Sequence, residues 1–372
     1  MPAQGRRYGS TIDRVHRIEH EIAAIVDDAL RRGIGSAAAV SIGDGGHEIV
    51  RFVRGYTRRV PDVGEPIDEG TLFDVASLTK PMCTVACSMI LVADRMLDLD
   101  APIHIWLPNA SSTGTVRQLI GHAAGCAAHV EFFRVLRSGI VAEPRRELVQ
   151  MAAHEAATAP GVAAVYSDLG YIMLGAILER AADAPLEHVF ADLVAGPLAL
   201  GAKFAGPTAL DNAVATELDD RGLVQGRVHD ENAYYGGGVC GHAGLFATIG
   251  DVAAFANAIV DTATGTPRGR FRTDVVTAFA NTSAAPNTSW RLGWDTPSPT
   301  PGVSHAGDRW PRLGSIGHLG FTGTSLWLDL PHRRWVALLT NRVHPTRGGS
   351  SADDIKALRR AVNDRATELL AP

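Results

Sequence analysis

The chain has 372 residues, a formal net charge of −5 and 46% hydrophobic residues, enough apolar material for one large core or two smaller ones. Scattered Gly and Pro exclude a low-complexity chain, and the mild negative balance leaves no basic stripe for nucleic acid. No uninterrupted run of 18 apolar residues occurs, so no membrane-spanning helix is expected.

The start, MPAQGRRYGSTIDRVHRIEHE, carries early positive charge but no apolar stretch after it. It does not read as a secretory signal, and the expected address is the cytoplasm. The four cysteines, Cys83, Cys87, Cys126 and Cys240, are then expected to be free thiols. Cys83 and Cys87 would share one helix face, buried, with no metal-ligand spacing around them.

Apolar residues at helical spacing predict a helix over 13–32, followed by strands at 37–43 and 47–55 joined by a Gly-rich turn. Residues 78–93 predict a core helix, apolar nearly all round. A helical TVRQLIGHAAG follows, then helices near 145–157, 169–182 and 186–194. Residues 245–260 read as helix, 290–294, 324–329 and 335–341 as strands, and 352–370 as a last helix. Strands and a helix at both ends predict an α+β fold, an antiparallel sheet flanked by helices in an α/β sandwich, with an inserted helical domain. The expected division is 1–75 with 235–372 for the sheet part and 76–234 for the mainly helical part. A cleft between them is the natural site.

Three short elements carry chemistry. Ser77-Leu78-Thr79-Lys80 stands at the entrance of the core helix, where residues three apart share a face. A lysine amine there reaches the serine hydroxyl, a poor nucleophile until a neighbouring base takes its proton. Only Lys80, Lys203 and Lys356 occur in the chain, so general lysine abundance does not explain this placement. Tyr166-Ser167-Asp168 precedes an amphipathic helix, and a phenol near an ammonium ionises more readily and can move a proton. His318-Leu319-Gly320 lies in SIGHLGFTGTSLWLD, where glycine lets a substrate approach a strand edge. The backbone N–H of Phe321 can pair with that of Ser77 as an oxyanion hole.

Together and in this order, the three elements resemble the motifs of the serine β-lactamase and penicillin-binding-protein superfamily, with its β-lactamase/transpeptidase-like fold. The resemblance is strongest to the branch of class C β-lactamases, D-amino-acid peptidases and esterases. There S-x-x-K is followed by Y-x-N and then K-T-G or H-x-G. TVRQLIGHAAGC, VHDENAYYGGGVCGHAGLFATIGDVAAFA, RLGW (291–294) and GHLGFTGTSLWLDL (317–330) also fit the branch, over roughly residues 15–370. The resemblance implies Ser77 as acylated nucleophile and Lys80 and Tyr166 as the groups handling its proton. His318, Gly320, Phe321 and Asp168 then line the substrate and oxyanion side. It implies a small ester, amide or peptide substrate and neither metal nor organic cofactor.

Two positions depart from the pattern. Asp168 stands where the family has Asn, and a carboxylate there either holds Lys80 charged or orients it while Tyr166 moves the proton. His318 stands for the lysine of K-T-G, and a neutral imidazole anchors a carboxylate less strongly than an ammonium. Weak penicillin and cephalosporin turnover is therefore expected. His229, Asp230, Glu231 and His242 have metal-ligand chemistry, but loop-ordering hydrogen bonds are the expectation. Tyr234, Tyr235, Phe132 and Trp310 are candidate substrate contacts. The other functional class left open is a binding or scaffold protein that keeps the fold without the reaction.

Overall fold

The structure, a computed structural model, describes residues 5–370, with side chains from Asp13 onward. The reading of the extreme N-terminus falls partly on residues 1–4, outside the described ones. In chain order the strands are β1 (Ala37–Asp44), β2 (His47–Gly55), β3 (Phe73–Asp74), β4 (Lys203–Phe204), β5 (Ala215–Asp219), β6 (Gly222–Gln225), β7 (Leu245–Ala247), β8 (Ser315–Leu319), β9 (Ser325–Asp329) and β10 (Arg334–Thr340). The main sheet is five-stranded and antiparallel, in the order β2-β1-β10-β9-β8. The two chain ends therefore meet in its middle, where β1 pairs with β10. A three-stranded sheet (β3-β7-β4) and a two-stranded one (β5-β6) complete the β structure of the described residues.

Alternate side chains of a strand point to opposite faces, and the central strands use both. Ala38, Val40 and Ile42 of β1 join Val336 and Leu338 of β10 on one face. The first helix (Gly5–Arg31) covers them with Ile18, Ile22, Val26 and Ala29, and the last (Ala352–Leu370) with Ile355, Leu358, Val362 and Ala366. Ala37, Ala39, Trp335, Ala337 and Leu339 belong to the other face, where the helix Ile249–Ala263 packs Val252, Phe255 and Ile259. From there one continuous apolar cluster runs into the helices of the middle of the chain. The α/β/α layering gives each apolar stripe a partner.

Several sequence-level expectations need correction. Residues 245–247 are strand β7, pairing with β3 and β4, and the helix begins only at Ile249, capped by the Thr248 hydroxyl. TVRQLIGHAAG is helical only over Val116–Ile120, because His122 turns to a left-handed φ of 57°. Residues 290–294 are not a strand. Gly293 makes a tight turn at φ 83°, closed by a hydrogen bond from Arg291 N–H to Trp294 O, and a side chain there would strike Val85. The core helix opens with a 3₁₀ turn (Ala76–Leu78) and a wide π turn (Lys80–Val85) before becoming regular at Ala86–Ala93. Pro81 sits at the start of the wide turn, where its missing N–H is not needed. By length and composition this stretch could cross a bilayer, but its apolar surface is spent on the core. All four cysteines are free, with Cys83 and Cys87 buried in it.

Candidate active site

Ser77 is placed by a strained approach. Ala76, just before it, has φ 48°, a conformation a non-glycine residue holds only when its surroundings insist. Buried Asp74 supplies that insistence by accepting from Ala76 N–H (2.8 Å) and His229 N–H (2.7 Å). Its carboxyl is raised above the usual range by burial, which those two donors only partly offset.

The turn from β8 to β9 is fastened to the same approach. Thr322 donates its hydroxyl to Asp74 O (2.8 Å) and Thr324 donates to Val75 O (2.9 Å). Gly320 lies between: a Cβ there would sit 1.9 Å from the Thr324 hydroxyl and 2.6 Å from Val75 O. Only glycine lets the turn come this close. The structure thus brings His318, Gly320 and Phe321 to the segment that leads from β3 into the nucleophile, and among the described residues neither Ser77 N–H nor Phe321 N–H has an acceptor.

Lys80 is wholly buried, and its three ammonium protons have three acceptors: Ser77 Oγ (3.0 Å), Asp168 Oδ1 (2.8 Å) and His242 O (3.1 Å). Burial alone would lower its pKa, but the Asp168 carboxylate and the Tyr166 hydroxyl outweigh it and hold the amine charged above its ordinary range. Asp168 is correspondingly held well below the usual carboxylate range: burial opposes this, and Lys80 and the His129 hydrogen bond prevail. His129 Nδ1 donates to Asp168 Oδ2 (3.1 Å) from a half-exposed position, and that bond raises its own pKa. The ordered line Ser77–Lys80–Asp168–His129 therefore leads from the nucleophile to solvent.

Tyr166 covers the Lys80 ammonium, whose Nζ lies 4.8 Å from the ring centroid. Burial and the Asp168 charge raise its phenol above the ordinary value, and Lys80 and Ser77 offset this only in part. Its ring packs on Trp290 (centroids 5.3 Å apart, 27° between planes), on His122 (4.8 Å) and beside His318 (5.9 Å). His318 donates from Nδ1 to Leu319 O (2.8 Å), which leaves Nε2 as a buried acceptor with no partner among the described residues. Burial and the Lys80 charge press its pKa down to about 3, so the ring is neutral. His122 is likewise held well below its ordinary value by burial and Lys80.

The HDEN segment is ordered by hydrogen bonds. His229 Nε2 meets buried Glu217 (2.8 Å), and Asp230 caps the helix Glu231–Tyr235 and bonds His242 Nε2 (2.9 Å). Asn232 bridges Val130 O and Phe133 N–H. Glu231 pairs with Arg347. No group of three or more metal-ligating side chains occurs among the described residues. Phe132 and Trp310 are core residues, Trp310 on the far face of the sheet. The sequence reading missed Asp74, His122, His129 and Trp290. Asp74 alone left a signal, an acid inside the apolar FDVAS three residues before the nucleophile.

A family profile described as "Beta-lactamase" matches residues 22–361. The chain belongs to that family. Among its curated relatives is an Escherichia coli (strain K12) protein named "Putative D-alanyl-D-alanine carboxypeptidase", 26% identical over 311 residues, covering 74% of this chain and 70% of the relative. Another is the N-acetylmuramyl-L-alanine amidase of Bacillus subtilis (strain 168), 25% identical over 313 residues, covering 74% and 68%. This β-lactamase-family chain also shares its fold with EstCE1, a hydrolase with promiscuous acyltransferase activity, at a TM-score of 0.71 and 22% identity over 95% of this chain and 99% of that one. The octameric penicillin-binding-protein homologue from Pyrococcus abyssi gives a TM-score of 0.67 at 18% identity, covering 87% and 73%. The expected α+β, β-lactamase/transpeptidase-like fold is what the chain has.

Proposed function

We propose that the chain hydrolyses an ester or amide through an acyl-enzyme on Ser77. One observation carries this reading: a half-buried serine hydroxyl accepts a hydrogen bond from a buried ammonium beside a phenol, with two unengaged backbone N–H groups at hand. That combination supplies nucleophile, proton acceptor and oxyanion donors together.

Because Lys80 is held as a charged, fully bonded donor, it is a poor base in the resting site. The active form has lost one proton from the Lys80–Tyr166 pair, leaving a Tyr166 phenolate against the Lys80 ammonium. Tyr166 takes the Ser77 proton as Oγ attacks the substrate carbonyl carbon. The carbonyl oxygen becomes an oxyanion facing the N–H groups of Ser77 and Phe321. Its collapse breaks the bond to the leaving group, which receives the proton from Tyr166. Water then repeats the sequence on the acyl-Ser77 ester and releases the acid. His318 offers a neutral acceptor, so the substrate portion beside it presents an N–H or O–H rather than a carboxylate. This disfavours penicillins, cephalosporins and free C-terminal D-alanine. The amidase and peptidase relatives support an amide of a cell-wall peptide as the natural substrate class.

A fluorophosphonate that adds its mass to the wild type and not to Ser77→Ala, together with turnover of p-nitrophenyl esters and muropeptide amides by the wild type alone, is the expected result. A wild type left unlabelled at high probe returns the chain to the scaffold class, and class C-level cephalosporin turnover overturns the role given to His318.

A further inference from the structure

Arg359, on the inner side of the last helix, is buried, and no carboxylate of the described residues pairs with it. Its Nη2 donates to two backbone oxygens, Gly320 O (2.7 Å) and Thr324 O (2.8 Å). Nη1 lies 3.5 Å from His305 Nδ1, and Nε has no partner among the described residues. A buried cation without a counter-ion is costly, and a neutral side chain could satisfy a turn carbonyl more cheaply.

Gly320 O is not an arbitrary carbonyl. It belongs to the same peptide group as the Phe321 N–H, the donor assigned to the oxyanion. That bond is trans, so its C=O and N–H point in opposite directions. A guanidinium holding the oxygen from the helix side aims the N–H away from the helix. A cation on an amide oxygen also draws electron density through the conjugated C–N bond and makes the N–H a stronger donor. The next peptide is held in the same manner: Arg342 Nε donates to Phe321 O (2.9 Å), its guanidinium 4.7 Å from the Phe321 ring centroid. Both peptide planes flanking Phe321 are thus fixed by guanidinium groups.

We infer that Arg359 is a positioning residue for acyl transfer, orienting and polarising the Phe321 N–H that receives the oxyanion. The inference rests on the proposed acylation of Ser77. Its test uses the full-length protein with Arg359→Met and Arg359→Lys, a p-nitrophenyl ester series, and a slowly released acyl group whose carbonyl stretch is read by infrared difference spectroscopy.

Folded Arg359→Met should lose roughly ten- to a hundredfold in kcat, less than the 10²–10³ typical of deleting an oxyanion donor outright, with KM within about twofold. The acyl carbonyl stretch should move to higher frequency, and Arg359→Lys should restore part of both. Wild-type kcat and an unmoved stretch in folded Arg359→Met would overturn the inference. Should Arg359→Met not fold, Arg359→Lys in protein labelled with 15N-phenylalanine decides: an unmoved Phe321 amide resonance with unchanged kcat also overturns it. A wild type that never acquires the acyl group fails earlier, at Ser77, and takes the functional reading down with the inference. Acylation with an indifferent Arg359 removes the inference alone.

Discussion

The two sides, or banks, of the Lys80 ammonium hold histidines of opposite character. On the bank of Asp168 and Asp230, carboxylates raise His129, and His242 is raised well above its ordinary value by Cys240 and Asp230 against the effect of burial. On the bank of Tyr166 and Trp290, burial and the Lys80 charge keep His122 and His318 neutral. Lys80 lies between them, bonded to one bank and pressing on the other. The difference teaches that each histidine follows what lies nearest: neighbouring acidic groups raise it on one bank, while on the other, among aromatic rings, burial and the Lys80 ammonium hold it neutral.

Removing that ammonium should have the largest effect. Lys80→Ala leaves Ser77 and Tyr166 in place without the charge that stabilises a phenolate, and esterase kcat/KM should fall by roughly 10³-fold or more, measured under single turnover. Asp168→Asn comes next. Tyr166 loses the carboxylate charge that raises its phenol, so the alkaline rise of kcat/KM should move towards neutral pH by roughly one to three units. A profile that stays put or moves to higher pH would break the comparison between the banks.

The neutral bank makes a prediction about stability. His318 folds with its pKa depressed from 6.5 to about 3, so the unfolded chain binds the extra proton across that range. The contribution is fully present above pH 6.5 and is lost as pH falls towards 3, at about 1.4 kcal/mol per pH unit for each such histidine. Urea midpoints followed from pH 7 to 4 should fall less steeply for His318→Asn than for the wild type. The smallest effect belongs to His129→Ala. Without the His129 hydrogen bond the Asp168 charge falls more fully on the Tyr166 phenol, so the alkaline rise should shift upward by less than about one unit.

Much of this arrangement is written locally. Ser77 and Lys80 are one helical turn apart, Tyr166 and Asp168 share one loop-to-helix entry, and His318 and Gly320 end one strand, so each pair is visible as spacing. The central strands announced themselves as short apolar runs at 37–43 and 335–341. What stayed hidden depends on distant chain. His129 meets Asp168 across 39 residues with no motif to mark it, and Arg359 is one of three arginines on the last helix. Trp290 looked like part of a strand because Trp290, Leu292 and Trp294 alternate with other residues, yet it packs against Tyr166 beside the turn at Gly293. Strand β7 was lost because three residues buried on all sides show no period, and the helical run beginning at Ile249 absorbed them.

The threonine ties between the β8–β9 turn and the segment leading from β3 into the nucleophile span 248 and 249 residues of chain. In the strand order β2-β1-β10-β9-β8, the turn reaches the N-terminal strands only through β10. On the proposed mechanism, a chain made only as far as β7 already holds its serine and lysine but lacks the Phe321 donor. Competence then waits for strands β8, β9 and β10, which join the early strands β1 and β2 in one sheet.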